Sequence, residues 1–157
     1  MRQGIACEVS RRQLMLGGMM VLGSTGLAVG APDGKAAAIT GAIRQQAEFA
    51  ASPGRLFQLL TDEKQFGAMS GAPATIEKRE GGAFSLFGGV ITGRNVELLE
   101  AKRVVQAWHD TAWAAGLYSI IRFELSPSGP GTHVTFEQAG FPESDRASLE
   151  AGWHSHY

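Results

Sequence analysis

Near the C-terminus, one glutamate and two histidines have residue types and a spacing that could hold a metal ion. Glu150 and His154 stand four residues apart, which places them on one face of a helix, and a carboxylate and an imidazole are common metal ligands. His156 points roughly 200° away from His154 on the same helix. Since no other cluster of ligand types supports this pair, we expect no metal site and no cofactor.

Side chains suited to acid–base or nucleophilic catalysis are present but poorly arranged. His109 is followed directly by an aspartate, and neighbouring residues of a strand face opposite ways. His133 and Glu137 share a strand face that we expect to be solvated. The glycine pairs at 81–82 and 88–89 do not lead into a helix, as a phosphate-binding loop would, and no G-x-S-x-G nucleophile motif occurs. No catalytic residue is therefore predicted.

Composition limits the class of protein further. The chain has 157 residues, about one domain, and 14 basic against 15 acidic side chains give a net charge of −1. That balance offers no basic surface for nucleic acid, so we expect none as a partner. Cys7 is the only cysteine, which excludes an intrachain disulfide and a cysteine-rich zinc site.

Residues 1–38 have the features of an export signal. Arg11 and Arg12 precede an uncharged, glycine-diluted apolar stretch from Leu14 to Ala31, and further alanines follow it. A basic start, an apolar run and small residues at the cleavage site are typical of signal peptides. The paired arginines resemble the twin-arginine signal, which a dedicated export machinery reads. We therefore expect cleavage near residue 38 and a periplasmic or secreted protein.

An uncleaved membrane anchor is the alternative interpretation of this stretch. Its 18 uncharged residues barely reach the roughly 20 that a transmembrane helix needs, and its glycines weaken insertion. We expect no stable membrane insertion of the mature domain, residues 39–157, which carries 10 basic and 13 acidic side chains. With 119 residues, that domain can bury one hydrophobic core.

Alternation and turn signals predict a single α+β domain. Residues 43–49 alternate as a strand does. Ser52 and the pair Thr61-Asp62 predict the starts of two short helices, and a terminal helix is expected to begin at Ser144 or Asp145. Residues 126–131 have the composition of a loop. Hairpin-length connections predict an antiparallel sheet, with further strands at 75–79, 83–87, 90–99, 104–109, 118–125 and 132–138.

Several segments occur in the order of a known family. They are FAASPGRLFQLLTD from Phe49, GGAFSLFGGVITGRNVEL from Gly81, VVQAWH from Val104 and GTHVTFEQAGFP from Gly131. Over residues 43–157 the chain resembles the START-like superfamily (SRPBCC, or birch-pollen-allergen-like), and within it the branch of heat-shock protein 90 ATPase activator homologues. The resemblance implies a helix-grip fold, in which a curved antiparallel sheet of six or seven strands wraps around a C-terminal helix with an apolar cavity between them.

Alternation along the strands selects the side chains that would face such a cavity. An inward amide at Gln138, on the face of Val134 and Phe136, must be hydrogen-bonded, either to a ligand or to the backbone. The alternative for the apolar side chains is a packed core. We expect a ligand site lined by Phe84, Trp108, Phe123, Phe136, Gln138 and Trp153.

Two features depart from the family's pattern. Members often carry histidine at the position of Gln138, and their terminal helix continues for several turns beyond the Gly-Trp pair at 152–153. From Ser144 to Tyr157 there are 14 residues, about 21 Å of helix. The terminal helix is therefore either unusually short or truncated, and we favour truncation.

These features favour an exported START-like domain that binds a small hydrophobic molecule. The second hypothesis, implied by the family branch, is a stress-related protein-interaction module, although an exported chain would not meet a cytosolic chaperone. The third is a cyclase-like or hydrolase-like enzyme that shapes a substrate in the cavity, because such activity leaves little trace in a sequence. We expect binding rather than catalysis.

Replacing Arg11 and Arg12 together by lysine should retain the protein in the cytoplasm, because the export receptor reads the arginine pair. Cell fractionation of the wild type and the double variant measures this, and Arg2→Lys is a control that should be exported normally. Unchanged export of the double variant would contradict the twin-arginine interpretation.

Overall fold

A computed structural model describes the backbone of residues 41–155 and the side chains as far as Trp153. The predicted leader, with Arg11 and Arg12, lies outside the described residues, as do His156 and Tyr157. Within the described part, no helix is long and apolar enough to cross a membrane.

Seven strands form one curved antiparallel sheet, as predicted. Its order is β1-β7-β6-β5-β4-β3-β2, so the chain starts at one edge, crosses to the other and returns strand by strand. Together with three helices, this confirms the α+β fold class. The strands are β1 (Ile43–Phe49), β2 (Thr75–Ile76), β3 (Ala83–Leu86), β4 (Ile91–Leu99), β5 (Arg103–Asp110), β6 (Ser119–Ser128) and β7 (Gly131–Ala139).

Two short helices, α1 (Pro53–Thr61) and α2 (Glu63–Ser70), make the crossing between the sheet edges. Their predicted starts are confirmed: the Ser52 hydroxyl accepts a hydrogen bond from the backbone of α1, and Asp62 Oδ1 accepts two from that of α2. These side-chain oxygens satisfy amides that lack partners at a helix start. The terminal helix, α3 (Arg146–Ser155), follows a 3-10 turn at Glu143–Asp145.

The predicted loop at 126–131 is wrong, because β6 continues to Ser128 and only Gly129 and Pro130 make the turn. Pro127 suggested a break, since proline cannot donate to a strand ladder. Leu125 donates to Lys102 on the β5 side, and alternate residues point to the same side. The backbone nitrogen of Pro127 therefore points toward the β5 side, at a level of the sheet beyond Arg103, the end residue of β5 there. Since no residue of β5 lies opposite that nitrogen, no hydrogen bond of the ladder is lost.

The predicted strand at 75–79 is too long, because only Thr75 and Ile76 pair with β3. Beyond them the chain turns and folds onto Asn95 of β4. The Asn95 Nδ2 amide donates to the Glu77 carbonyl at 2.9 Å, and the Asn95 backbone exchanges hydrogen bonds with Gly81 and Gly82. A buried asparagine thus replaces the strand pairing that alternation predicted.

The inner face of the sheet carries the core. Every second side chain of β5, β6 and β7 is buried there, and α1, α2 and α3 add Leu56, Phe57, Phe66, Leu149 and Trp153. This is the period of two that places successive strand side chains on opposite faces.

The outer face carries alternating charges across five strands. Their closest N···O distances lie between 2.7 and 3.8 Å. The hydrogen bonds that Arg103 donates to Glu124 and Glu97 raise the pKa of its guanidinium, so this group stays charged. In order across the sheet, the paired residues are Arg44, Glu137, Arg122, Glu124, Arg103 and Glu97.

Candidate functional site

The five aromatic side chains of the predicted ligand site lie together on the inner face of the sheet. Trp153 of α3 is at their centre, with its ring centroid 4.0 Å from that of Phe136, 5.9 Å from that of Trp108 and 6.2 Å from that of Phe123. We call Phe84, Trp108, Phe123, Phe136 and Trp153 the aromatic cluster. Sequence alternation selected these residues, and the fold brings them into contact.

Strand register positions the floor of the aromatic cluster. Phe123 lies directly opposite Phe136 in the β6–β7 pair, with ring centroids 5.3 Å apart. Gly93 lies between Phe84 and Trp108 in the neighbouring strands, and a Cβ at this position would be 2.5 Å from Phe84 Cζ. A glycine is required here because a Cβ would also lie 2.0 Å from the backbone carbonyl oxygen of Ala107, which the pairing of β4 with β5 holds in place.

Gln138 ties the aromatic cluster to α3. Its Oε1 accepts a hydrogen bond from Trp153 Nε1 at 2.8 Å, and its Nε2 donates to the Ser119 hydroxyl at 3.0 Å. Only 1% of Gln138 is exposed. Two side chains thus satisfy the amide, where the sequence suggested the backbone or a ligand; a contact of Gln138 with a ligand stays a prediction.

A second buried chain of hydrogen bonds begins at Trp108. Its Nε1 donates to Gln106 Oε1, and Gln106 Nε2 donates to Asn95 Oδ1, both at 2.9 Å. Sequence reasoning did not single out Gln106, Asn95 or Ser119. Gln106 could have been found, because it alternates with Val104 and Trp108 and must share their inward face.

The two amide systems lie on one line across the sheet. Gln138, Ile121, Gln106 and Asn95 stand directly opposite one another in neighbouring strands. Within the described part of the chain, every buried side-chain nitrogen and oxygen has a hydrogen-bond partner. This polar row under an aromatic layer fixes side-chain positions, because each amide has little freedom to rotate without losing a partner.

A third tryptophan holds the beginning of α3. Trp113, in the connection between β5 and β6, donates its indole N–H to Asp145 Oδ2 at 2.5 Å. At the same end of the helix, Arg146 donates a hydrogen bond to the carboxylate of Glu143, and this bond raises the pKa of the Arg146 guanidinium. Helix α3 is therefore attached near its start by Trp113 and further along by Trp153.

The chemistry available at the aromatic cluster is binding and positioning. Its polar groups are amides, a hydroxyl and indole N–H groups, which neither titrate near neutral pH nor act as strong nucleophiles. A molecule that contacts Phe136 where Trp153 now packs would have to displace the indole and break its bond to Gln138. The assignment of these six residues to a ligand site stays a prediction.

Gln138→Leu should lower the free energy of unfolding by about 1–3 kcal/mol, because it removes the acceptor of the partly buried Trp153 N–H and the donor to the buried Ser119 hydroxyl. Urea denaturation measures the change. Gln58→Leu, on the exposed side of α1, is the matched control and should change the free energy by less than about 0.5 kcal/mol. Equal effects of the two substitutions would show that the buried amide contributes nothing specific.

With the fold and the site described, comparisons with known proteins show where the chain belongs. Residues 50–157 match the family described as Activator of Hsp90 ATPase homolog 1-like protein. The chain is 32% identical over 115 residues to the "Activator of 90 kDa heat shock protein ATPase homolog" of Dictyostelium discoideum, covering 73% of this chain and 30% of that protein. It is 28% identical over 109 residues to the homolog 1 protein of Homo sapiens, covering 69% and 32%.

Solved structures agree with this match. An HSP90 activator from Plasmodium falciparum superposes with a TM-score of 0.67 at 26% sequence identity, covering 71% of this chain and 86% of that one. CalU16 from Micromonospora echinospora superposes with a TM-score of 0.64 at 21% identity, covering 73% and 70%; at that identity the likeness concerns the fold. The resemblance seen in the sequence is thereby confirmed.

The match covers more than half of the chain, and it includes the strands and helices that form the aromatic cluster. The chain spans about a third of the length of the curated relatives it matches. It belongs to the family of Activator of Hsp90 ATPase homolog 1-like proteins.

Proposed function

We propose that this chain is a protein-interaction domain of the Hsp90-activator type, which binds an Hsp90-class chaperone and raises its rate of ATP hydrolysis. The observation that carries the proposal is the match of residues 50–157 to this family. Relatives from two distant organisms are named activators of the 90 kDa heat-shock protein ATPase. Since the chain spans about a third of those relatives, it would supply one part of their contact with the chaperone.

The interior of the domain supports an action at the surface. The aromatic cluster packs on itself, with Trp153 resting on Phe136 and bonded to Gln138. These contacts satisfy the inner face without a small molecule. The surface of the domain is then the part available to a partner.

The compartment of the protein bears directly on the partner. We retain export as a proposal, supported by Arg11-Arg12 and the apolar run that follows them. An exported chain would not meet a cytosolic chaperone, so export and activation of such a chaperone are alternatives. Export would require a partner from the same compartment in place of the cytosolic chaperone. Cell fractionation of the Arg11 and Arg12 variants measures the compartment of the protein and so decides which partner to test in the cell. Binding to the chaperone is tested separately, with the purified chain and the purified chaperone.

Addition of the purified 157-residue chain should increase the ATPase rate of an Hsp90-class chaperone from the same organism. The expected affinity is weak, roughly micromolar, because an interface formed by one part of a larger activator buries less surface. Release of inorganic phosphate measures the rate, and isothermal titration calorimetry measures binding. An ATP-competitive inhibitor of the chaperone gives the background rate to subtract.

The matched control for this experiment is the Gln138→Leu variant. It changes a buried amide and leaves the surface side chains in place, so at a temperature where it is folded it should activate as well as the wild type. Absence of both binding and activation with the wild-type chain would overturn the proposal.

A small hydrophobic ligand is the second candidate, and the attachment of α3 is the observation that favours it. The packing of α3 against the core is through Leu149 and Trp153, so movement of this helix would expose Phe123, Phe136 and Gln138 together. Aromatic walls with a few polar groups are typical of sites for small apolar molecules. In this hypothesis the indole of Trp153 and the ligand compete for the same space.

Trp153→Phe should bind the apolar dye 1-anilinonaphthalene-8-sulfonate more tightly than the wild type, by about 2- to 10-fold. The substitution removes the hydrogen bond to Gln138 that a ligand must break, and such a bond contributes about 0.5–1.5 kcal/mol. Dye fluorescence measures binding, and Trp113→Phe controls for the loss of a tryptophan. If neither variant nor wild type binds the dye, and native mass spectra of the chain from its host show no bound small molecule, this candidate is excluded.

A further inference from the structure

We propose that strand β1 is the interface of a symmetric homodimer, in which β1 pairs antiparallel with β1 of a second copy of this chain. The proposal is independent of the partner named above. Among residues 41–155, which the structure describes, strand β1 lies at the edge of the seven-stranded sheet and has seven residues, Ile43–Phe49. An edge of this length presents a row of backbone donors and acceptors, which can pair with another strand.

The register of the sheet identifies which backbone groups face the open edge. Leu125 N–H points from β6 toward β5, and in antiparallel strands the hydrogen-bonding direction alternates residue by residue. Val134 of β7 lies opposite Leu125 and therefore directs its backbone N–H and C=O groups away from β6, toward Ala47 of β1. The backbone groups of Ala47 and of the other odd-numbered residues of β1 thus point toward β7. The N–H and C=O groups of Arg44, Gln46 and Glu48 therefore face the edge.

A two-fold axis at Gln46 satisfies these groups. It places Gln46 opposite the partner's Gln46, and Arg44 opposite the partner's Glu48, with the reciprocal pair related by symmetry. All three pairs join residues whose backbone groups face outward, and each such pair exchanges two hydrogen bonds. The sequence of β1 is thus compatible with self-pairing at the level of the backbone.

The charges on the outer face favour this register. Arg44 and Glu48 already pair within their own chain, Arg44 with Glu137 at 3.3 Å and Glu48 with His133 at 2.6 Å. Their side chains are nevertheless 73% and 63% exposed, so both can also reach across the edge. Opposite charges directly across a strand pair are stabilising, and like charges are destabilising. A shift of the axis to Arg44 or to Glu48 would oppose two arginines or two glutamates, whereas the axis at Gln46 opposes arginine and glutamate twice.

The pairing would also extend, from one copy to the next, the line of charges on the outer face and the apolar surface of the inner face. Arg44 ends the line of alternating charges on the outer face, and the Glu48 of the second copy would continue it. On the inner face, Ile43 would lie opposite the partner's Phe49, so that two apolar side chains of the core edge meet. The interface therefore matches in charge on one face and in hydrophobicity on the other.

Cross-linking tests the register directly. In a hydrogen-bonded antiparallel pair the Cα atoms are about 5.5 Å apart, which suits a disulfide. With Cys7→Ser as the background of the 157-residue chain, Gln46→Cys should form a covalent dimer on mild oxidation at least about 10-fold faster than Gln58→Cys, which lies on the exposed side of α1. Non-reducing electrophoresis over time measures the rate, and equal rates would overturn the proposal.

Charge exchange is the second test. Sedimentation velocity of the wild type should show a concentration-dependent dimer; Arg44→Glu and Glu48→Arg should each weaken its dissociation constant about 10-fold, and the double exchange should restore it. Lys64→Glu on α2 carries the same charge change as Arg44→Glu and should leave the dimer unchanged. A monomeric wild type at all concentrations, or a dimer insensitive to both single exchanges, would overturn the proposal, while the chaperone ATPase assay remains a separate test of function.

Discussion

The hydrogen bond from Trp153 Nε1 to Gln138 Oε1 is the interaction on which the arrangement of this domain depends. It joins the terminal helix to the strand that lies between the sheet's edge strand and its centre. Without a partner, the buried amide of Gln138 would carry a desolvation penalty of about 1–3 kcal/mol, and the partly buried indole N–H of Trp153 would also lose its hydrogen bond. Their pairing therefore determines where α3 lies on the sheet, and the aromatic side chains pack around that position.

The buried amides beneath the aromatic cluster favour a single packing arrangement of the side chains on the inner face. Apolar side chains alone tolerate several arrangements of similar energy. Gln138, Gln106 and Asn95 each have directional partners on neighbouring strands, so a shift of register or a different rotamer would leave a buried group unpaired. A terminal helix of ten described residues thus packs on an interior whose side-chain positions are well defined.

Much of this architecture could be predicted from the sequence because strands have a side-chain period of two. The bounds of β1 were predicted correctly, as were the helix starts at Ser52 and Asp62. The errors share one cause. Pro127 and residues 77–79 were interpreted from local signals, but Pro127 is tolerated because β5 ends beside it, and the chain after Ile76 turns toward Asn95. The extension of β6 through Pro127 and the turn after Ile76 both depend on the position of a neighbouring strand, which cannot be inferred from the local sequence.

The sequence by itself predicted the element order and the face of each strand that is buried, because alternation and capping act over a few residues; the six residues of the candidate site also came from the family resemblance, and their role stays a prediction. Only the tertiary structure decided the pairing of those residues. Trp153 meets Gln138 across 15 positions, and Trp113 meets Asp145 across 32. Such contacts follow from how the strands are ordered in the sheet and where the helix lies on it, and hydrogen-bond partners are selected only after that placement.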